Sequence, residues 1–444
     1  MSTANIDGLA RLRVLACAFA CSPSGNTELG SGEAVLGWNL VTQLARFHEV
    51  DVLSHPSNRA GVEQALQKEP VGHLTFHFFA LPRWLAILQK VQGGFQIYAY
   101  LWQIQAHFVA VRLHAQNRFG AFHHLTYAND WAASYIGALL KIPYFRGPCG
   151  GTQKTPRQYL SEFGWHNRAW ERVRAGMGWV LRHDPFFLLG QARARRILVC
   201  NRESLAAIPR QHQKKATLFP VNGISAQDWE LIAKQNGGGA WPEPAGALPS
   251  KRFRVLSAGR LIALKGYPLA IRAFGLFASQ HAESELVIAG EGPDLGKLET
   301  LAESLGLSDR IHFAGWTPRN RLLSAMCACD VFLFASYRDG GGAVVVEAMA
   351  AGKPVICLDL AGPSLHITEE CGVKIPALAP DETISLMARE LERLYTDSAL
   401  RRKMGAAARA RAEQVYSWDR LGDRLLKIYL EELEYGLSRG ADGR

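Results

Sequence analysis

The sequence predicts an α/β protein made of two doubly wound domains. Three observations predict it. Short apolar runs alternate with helical patterns along the whole chain, the pattern of parallel strands wrapped by helices on both faces. The scheme runs twice, and a stretch rich in breakers, from Gly237-Gly238-Gly239 to Pro249, separates the two runs as a linker or surface loop. At 444 residues the chain is also too long for one ordinary core.

In the first half the strand candidates are 14–19, 50–54, 74–79, 121–125, 142–146, 197–200 and 217–219. In the second half they are 253–257, 286–289, 311–313, 331–334, 355–358 and 373–375. The expected boundaries are 1–222 for the first domain and 223–416 for the second. A last helix at 417–436 carries apolar residues at Leu421, Leu425, Leu426, Tyr429 and Leu430. Ligands of such sheets bind beyond the carboxyl ends of the strands. The loops after Phe19, Ser257, Ala289 and Ala335 all lie there and would face a cleft between the domains.

Composition is that of a soluble globular protein, 48% hydrophobic and 20% charged. A net charge of +10 favours anionic partners such as sugar nucleotides, phospholipid headgroups or nucleic acid. Solubilising charge alone explains it equally well. Nucleic-acid binding ranks last, since no recognisable module accompanies the charge. The eight cysteines are scattered, with no C-x-x-C pair, which suggests a reducing compartment and no zinc site. The run V-L-A-C-A-F-A-C after Arg11 and Arg13 looks like a secretion leader, but a first buried strand explains it better. No segment is apolar for long enough to cross a membrane.

Residues 339–347, D-G-G-G-A-V-V-V-E, carry the strongest chemical signal. Glycines let a backbone approach a ligand, and the N–H groups of a first helical turn attract anions. Asp339 stands before the turn and Glu347 one turn inside the helix, placed to accept from hydroxyls. A second cluster, S-A-G-R-L-I-A-L-K-G at 257–266, follows a strand and supplies Arg260 and Lys265. Arg offers phosphate a planar fork and Lys a mobile point charge. Together the two clusters suit a diphosphate, a sugar nucleotide in particular.

On these motifs the chain resembles a family 4 glycosyltransferase of the GT-B fold, the retaining class. The family pattern G-R-L-x-x-x-K-G is met at Gly259, Arg260, Leu261, Lys265 and Gly266. The pattern E-x-F-G-x-x-x-x-E-A-M-A is met at Gly342, Glu347, Ala348, Met349 and Ala350, with Asp339 in place of the first Glu and Gly341 in place of Phe. G-E-G-P at Gly290–Pro293, V-N-G-I at 221–224 and Y-S-W at 416–418 extend the resemblance over nearly the whole chain. The first half is similar to bacterial exopolysaccharide and lipopolysaccharide transferases at Gly32, Glu33, Gly37, Trp38, residues 100–103, His123, His124, Gly147, Pro148, Gly150 and Gly151.

The resemblance implies two facing Rossmann-like domains, with the last helix crossing back to the first. It implies catalytic roles for Arg260, Lys265 and Asp339. It implies a nucleotide-sugar site of Gly259, Arg260, Lys265, Gly290, Gly292, Trp316, Gly341, Gly342, Ala343, Val344 and Glu347. Asp339 would grip the donor sugar and Glu347 the ribose. Trp316 lies where relatives hold the base, although a packed surface Trp fits the sequence equally. Gly32, Glu33, His124, Gly150 and Gly151 fall on loops expected near the phosphate and the acceptor. Glu33 reads also as a charge satisfying a helix dipole, a strand-end His as structural, and Asp130 as an N-cap.

The expected reaction is transfer of a sugar, from UDP by default with GDP open, to a hydroxyl of a glycan or lipid-linked acceptor. No D-x-D occurs, so no metal and no cofactor are expected. A sugar-nucleotide epimerase or hydrolase, or a decayed sugar-nucleotide-binding protein, remains as an alternative. Residues 157–196 hold eight arginines against Glu162, Glu171 and Asp184, with Trp165, Trp170, Trp179, Phe186 and Phe187 interleaved. That composition suits an anionic membrane surface, and packed aromatics with solvated arginines suit it as well. The expected location is cytoplasmic, with possible peripheral attachment to the inner membrane face.

Overall fold

The structure, a computed structural model, describes residues 11–23, 31–90, 94–235, 239, 241 and 252–441. Most of the stretch expected as a linker therefore lies outside the described residues. The chain divides into two compact units, one of residues 1–152, 173–221 and 418–444, the other of residues 153–172 and 222–417.

The first unit is built on a seven-stranded parallel sheet. Its strands are β1 (Arg13–Ala18), β2 (Glu49–Ser54), β3 (Leu74–Phe78), β4 (Ala121–Thr126), β5 (Tyr144–Cys149), β6 (Ala194–Val199) and β7 (Ala216–Leu218). Their spatial order is β3-β2-β1-β4-β5-β6-β7. Every residue of β4 and β5 is buried, and all but the first of β1 and β2. Unbroken apolar runs of this kind belong to strands covered on both faces. One apolar cluster gathers on each face, one around Phe19, Trp102 and Phe122, the other around Val14, Leu40 and Phe145.

The terminal helix Trp418–Ala441 belongs to the second of these clusters. Leu421, Leu425, Ile428 and Tyr429 recur at helical spacing and are buried. Tyr429 stacks on Phe145 with ring centroids 4.1 Å apart. Each such side chain contributes about 1.5–3 kcal/mol of burial, enough to hold the helix on this unit.

The second unit repeats the plan with six parallel strands, β8 (Phe253–Ala258), β9 (Ser284–Ala289), β10 (Ile311–Gly315), β11 (Val331–Phe334), β12 (Val355–Leu358) and β13 (Gly372–Ile375). Their order is β10-β9-β8-β11-β12-β13. The order reverses at β8, so the carboxyl ends of β8 and β11 flank the switch point where such sheets bind ligands.

Two sequence expectations need correction. The fifth strand begins two residues later than expected and runs to Cys149, because the apolar start 142–143 belongs to the turn that enters it. Residues 153–172 group with the second unit, not the first. Tyr159 explains this: it stacks on Tyr337 at 4.6 Å and its hydroxyl lies 2.8 Å from Thr383 Oγ1. Arg272 adds an ion pair to Glu162 at 3.1 Å. All eight cysteines are buried free thiols. Among the described residues no helix is long and apolar enough to cross a membrane.

Candidate functional site

In the second unit three glycine-bearing loops meet at the carboxyl ends of β8, β9 and β10. Gly259 and Gly290 both sit at φ +145°, in the region that favours glycine. A side chain on Gly290 would start 2.0 Å from the Gly259 carbonyl oxygen, and one on Gly292 2.3 Å from that of Leu261. Backbone bonds fasten the loops together, from Gly259 N to Ala289 O at 2.9 Å, Leu261 N to Glu291 O at 2.8 Å and Gly290 N to Gly315 O at 2.8 Å. Arg260 is exposed on this platform, and its guanidinium pairs with no carboxylate among the described residues. Trp316 is 70% exposed, its amide held 3.1 Å from Glu291 Oε1. Its ring is an open face, not a packed one.

The loop after β11 leads through Gly340, Gly341 and Gly342 into the helix Ala343–Ala350. The Asp339 carboxylate is engaged by the protein itself. Oδ2 accepts from Lys265 Nζ, and Oδ1 accepts from Gly341 N at 3.1 Å and Gly342 N at 2.7 Å. Asp side chains close turns by bonding their own backbone a few residues on. This ring needs the shorter acid, which gives a physical reason for Asp at this position. Burial alone would raise the Asp339 carboxyl. The Lys265 ammonium and the two amides outweigh burial and hold it below its usual value.

Gly342 caps the helix Ala343–Ala350 at φ +65°. The Ala343 and Val344 amides make no hydrogen bond among the described residues, and Ala343 is exposed. These are the open donors of the first helical turn. The platform thus presents a guanidinium, two unspent amides and an ammonium already shared with a carboxylate.

Glu347 is nearly buried. Its Oε1 accepts from Arg319 Nη1 at 2.8 Å. Arg319 also forks onto Asp228, with Nε to Oδ1 at 2.8 Å and Nη2 to Oδ2 at 2.9 Å. Sequence reasoning missed both partners, since Arg319 reads as a helix start after Pro318 and Asp228 as an ordinary first-turn acid.

His366 was missed too. Its Nε2–H donates to Gly341 O, and Nδ1 lies 3.0 Å from the Tyr416 hydroxyl, which donates to it. The carbonyl can only accept, which assigns the proton to Nε2. Burial pushes this His down to about 4, so the ring is neutral. Arg338, next to Asp339, grips both oxygens of Glu171 through Nη1 at 2.7 Å.

The first unit carries a parallel device. His123 Nε2 lies 2.8 Å from Gly147 O and its Nδ1 2.8 Å from the Tyr429 hydroxyl. Each unit therefore braces a glycine carbonyl of its loop with a neutral His held by a Tyr. His124, expected near the acceptor, is fully buried and lies 3.3 Å from Gln103 Nε2. It is a core residue of β4, because both faces of that strand are covered. Asp130 is not an N-cap; Ser134 caps the next helix, Tyr135–Leu139. Asp130 Oδ2 instead accepts from Thr152 N in the loop after β5 at 3.1 Å and from Ser204 Oγ in the helix after β6 at 2.5 Å.

Gly32 is exposed at the start of the helix Ser31–Ala45. Glu33 Oε1 accepts from Tyr127 N at 2.5 Å, and burial raises its carboxyl despite that bond. Gly150 O accepts from Asp130 N at 3.1 Å, and Gly151 sits at φ +123° beneath Trp131. Among the described residues no group of three or more His, Cys, Asp or Glu could hold a metal ion.

Residues 243–411 match the family described as glycosyl transferases, group 1. A lipopolysaccharide core biosynthesis glycosyltransferase of Rhizobium meliloti is 30% identical over 206 residues, 46% of this chain and 57% of that protein. The chain thus spans little more than half the length of that relative. Among solved structures, sucrose-phosphate synthase from Thermosynechococcus elongatus superimposes with a TM-score of 0.63 at 19% identity, covering 96% of this chain and 100% of the other. An Anabaena protein solved with UDP and glucose follows at 0.57 and 17%, covering 94% and 99%. At such identities the likeness concerns the fold alone, and that fold is GT-B.

Proposed function

We propose that this chain, whose residues 243–411 match the group 1 glycosyl transferases, moves a sugar from a nucleoside diphosphate to an acceptor hydroxyl. Anomeric configuration is retained, and the diphosphate is held without a metal. The observation that carries the reading is the platform of Arg260, Lys265 and the open Ala343 and Val344 amides. These groups supply positive charge where a departing diphosphate needs it. Trp316 offers the base a flat open face, and Glu347 the ribose an acceptor. Asp339, already linked to Lys265, sets the floor under the donor sugar and orients the ammonium. UDP is the default carrier. The acceptor is a glycan or lipid-linked glycan taken up by the first unit's loops at Gly32–Glu33 and Gly150–Gly151.

The test is thermal shift against a panel of sugar nucleotides with chelator present. A ligand that binds only the folded form at ~100 times its Kd stabilises by about 2.7 kcal/mol. One sugar nucleotide is expected to raise the melting temperature by several degrees in chelator, and to be consumed once acceptor is added. A shift that appears only with Mg²⁺ or Mn²⁺ overturns the metal-free reading. No shift with any donor overturns the reading as a whole.

The membrane reading of 157–196 gains support from the exposed faces of Trp165 and Trp179, 70% and 66% open to solvent. Trp170 and Phe186 are exposed as well, whereas Tyr159, Phe163 and Phe187 are buried. We expect the protein to bind anionic vesicles and to be released by salt. Equal partitioning onto neutral vesicles sinks that role.

A further inference from the structure

We propose that Arg319 is a positioning residue that sets the Glu347 carboxylate for the donor ribose, with Asp228 as its anchor. The inference deepens the reading of Glu347 as the ribose acceptor and rests on it. Four linked groups carry it. Ser225 and Asp228 form a reciprocal cap at the start of the helix Ala226–Ala233, with Asp228 N donating to Ser225 Oγ at 3.1 Å and Ser225 N donating to Asp228 Oδ2 at 3.2 Å. That fixes the Asp228 side chain. Both its oxygens then take the Arg319 fork, which fixes the guanidinium plane. The remaining Nη1 takes Oε1 of Glu347 at 2.8 Å.

The consequence is a nearly buried carboxylate with one oxygen tied and one unspent. Glu347 Oε2 makes no hydrogen bond among the described residues. A carboxylate held in this way accepts from hydroxyls in one plane only. Without the tie it can turn about its last torsion, which is broad. Desolvation argues the same way. Burial would raise the Asp228 carboxyl, and the Arg319 guanidinium overrides it and holds the carboxyl low. Half of the Arg319 side chain is exposed, while those of Asp228 and Glu347 are each 9% exposed. A residue placed only for packing would bury its own stem first. Lysine cannot reproduce this geometry, because a point charge has no planar fork.

The experiment compares wild type with Arg319→Lys and Arg319→Met, using UDP and GDP and the ribose-dideoxy form of each. A site built to bond a hydroxyl rejects an analogue that lacks it, here by roughly 10-fold or more in Kd. Arg319→Lys is expected to fold and melt near wild type while its discrimination falls to about 2-fold or less. Arg319→Met leaves two carboxylates without their cation and is expected to melt lower, with donor KM raised ~10-fold and kcat nearly unchanged. A purely structural role predicts that lysine restores discrimination together with stability. That outcome, or undiminished discrimination in both variants, overturns the inference and leaves the ribose role of Glu347 standing. Wild type that fails to distinguish ribose from dideoxyribose overturns both.

Discussion

Lys265→Ala is expected to lose about 10²-fold or more in turnover. Lys265 follows β8 in a short 3-10 turn, Ala263–Lys265, that ends at Gly266 with φ +64°. A side chain on Gly266 would start 2.0 Å from the Ala335 carbonyl oxygen, so this turn is pressed against the end of β11. That places Nζ on Asp339 Oδ2, with Phe334 beneath at 5.4 Å from ring centroid to Nζ. Truncation removes two things at once. The departing diphosphate loses a cation, and Asp339 keeps a desolvated charge without its partner. The second effect lowers stability by about 1–3 kcal/mol, less than a fully buried pair would, since the two side chains remain 17% and 18% exposed. Lys265→Arg separates the two, because it restores the charge beside Asp339 but not the compact ammonium. It should recover the melting temperature more fully than the rate. Near-normal turnover in the alanine variant, measured as kcat at saturating donor, refutes the role.

Much of the architecture was legible because parallel sheets buried on both faces announce themselves as apolar runs. Thirteen strands among the described residues, such as V-L-A-C-A at 14–18 and V-F-L-F at 331–334, leave little choice of class. The glycine loops were legible for a related reason. Gly259, Gly290 and Gly342 occupy backbone conformations that other residues rarely adopt, so their type is dictated locally. What was not legible is pairing across the chain. Lys265 and Asp339 are 74 residues apart, and Arg319 and Asp228 are 91 apart. Charge alone does not say which carboxylate a cation will meet, so the link of Asp339 to Lys265 and to the Gly341 and Gly342 amides could not be read from the residues. His124 fails by another route. A His at the end of a strand looks accessible in sequence, yet β4 is central and covered on both sides, so its imidazole is core.

Gly362→Ala is the second change expected to have a large effect, about 10²-fold in kcat/KM, at a residue outside every recognisable motif. The segment A-G-P-S-L-H at 361–366 forms a short helix after β12. Its Gly362 N donates to Asp339 O at 3.0 Å, and its last residue, His366, holds Gly341 O. The donor loop therefore lies on this helix and is fastened at both ends of it. A methyl on Gly362 would begin 2.3 Å from Gly340 O, 2.8 Å from Gly340 C and 2.9 Å from Gly341 Cα. All three are backbone atoms and cannot swing aside as a side-chain tip can. Relief must come from moving the loop by roughly 1 Å, and a misplacement of that size costs on the order of 10²-fold in a positioned site. The loss should fall on donor binding as well as rate, since Asp339, Gly341 and the open amides of Ala343 and Val344 move together. Gly296→Ala is the control: it lies in the helix Leu295–Ser304, and an added methyl meets nothing within 4 Å. It should leave activity unchanged. If Gly362→Ala instead keeps wild-type donor KM and kcat while the control behaves as expected, the loop can retreat without harm. The close backbone contact would then not be what shapes the donor site.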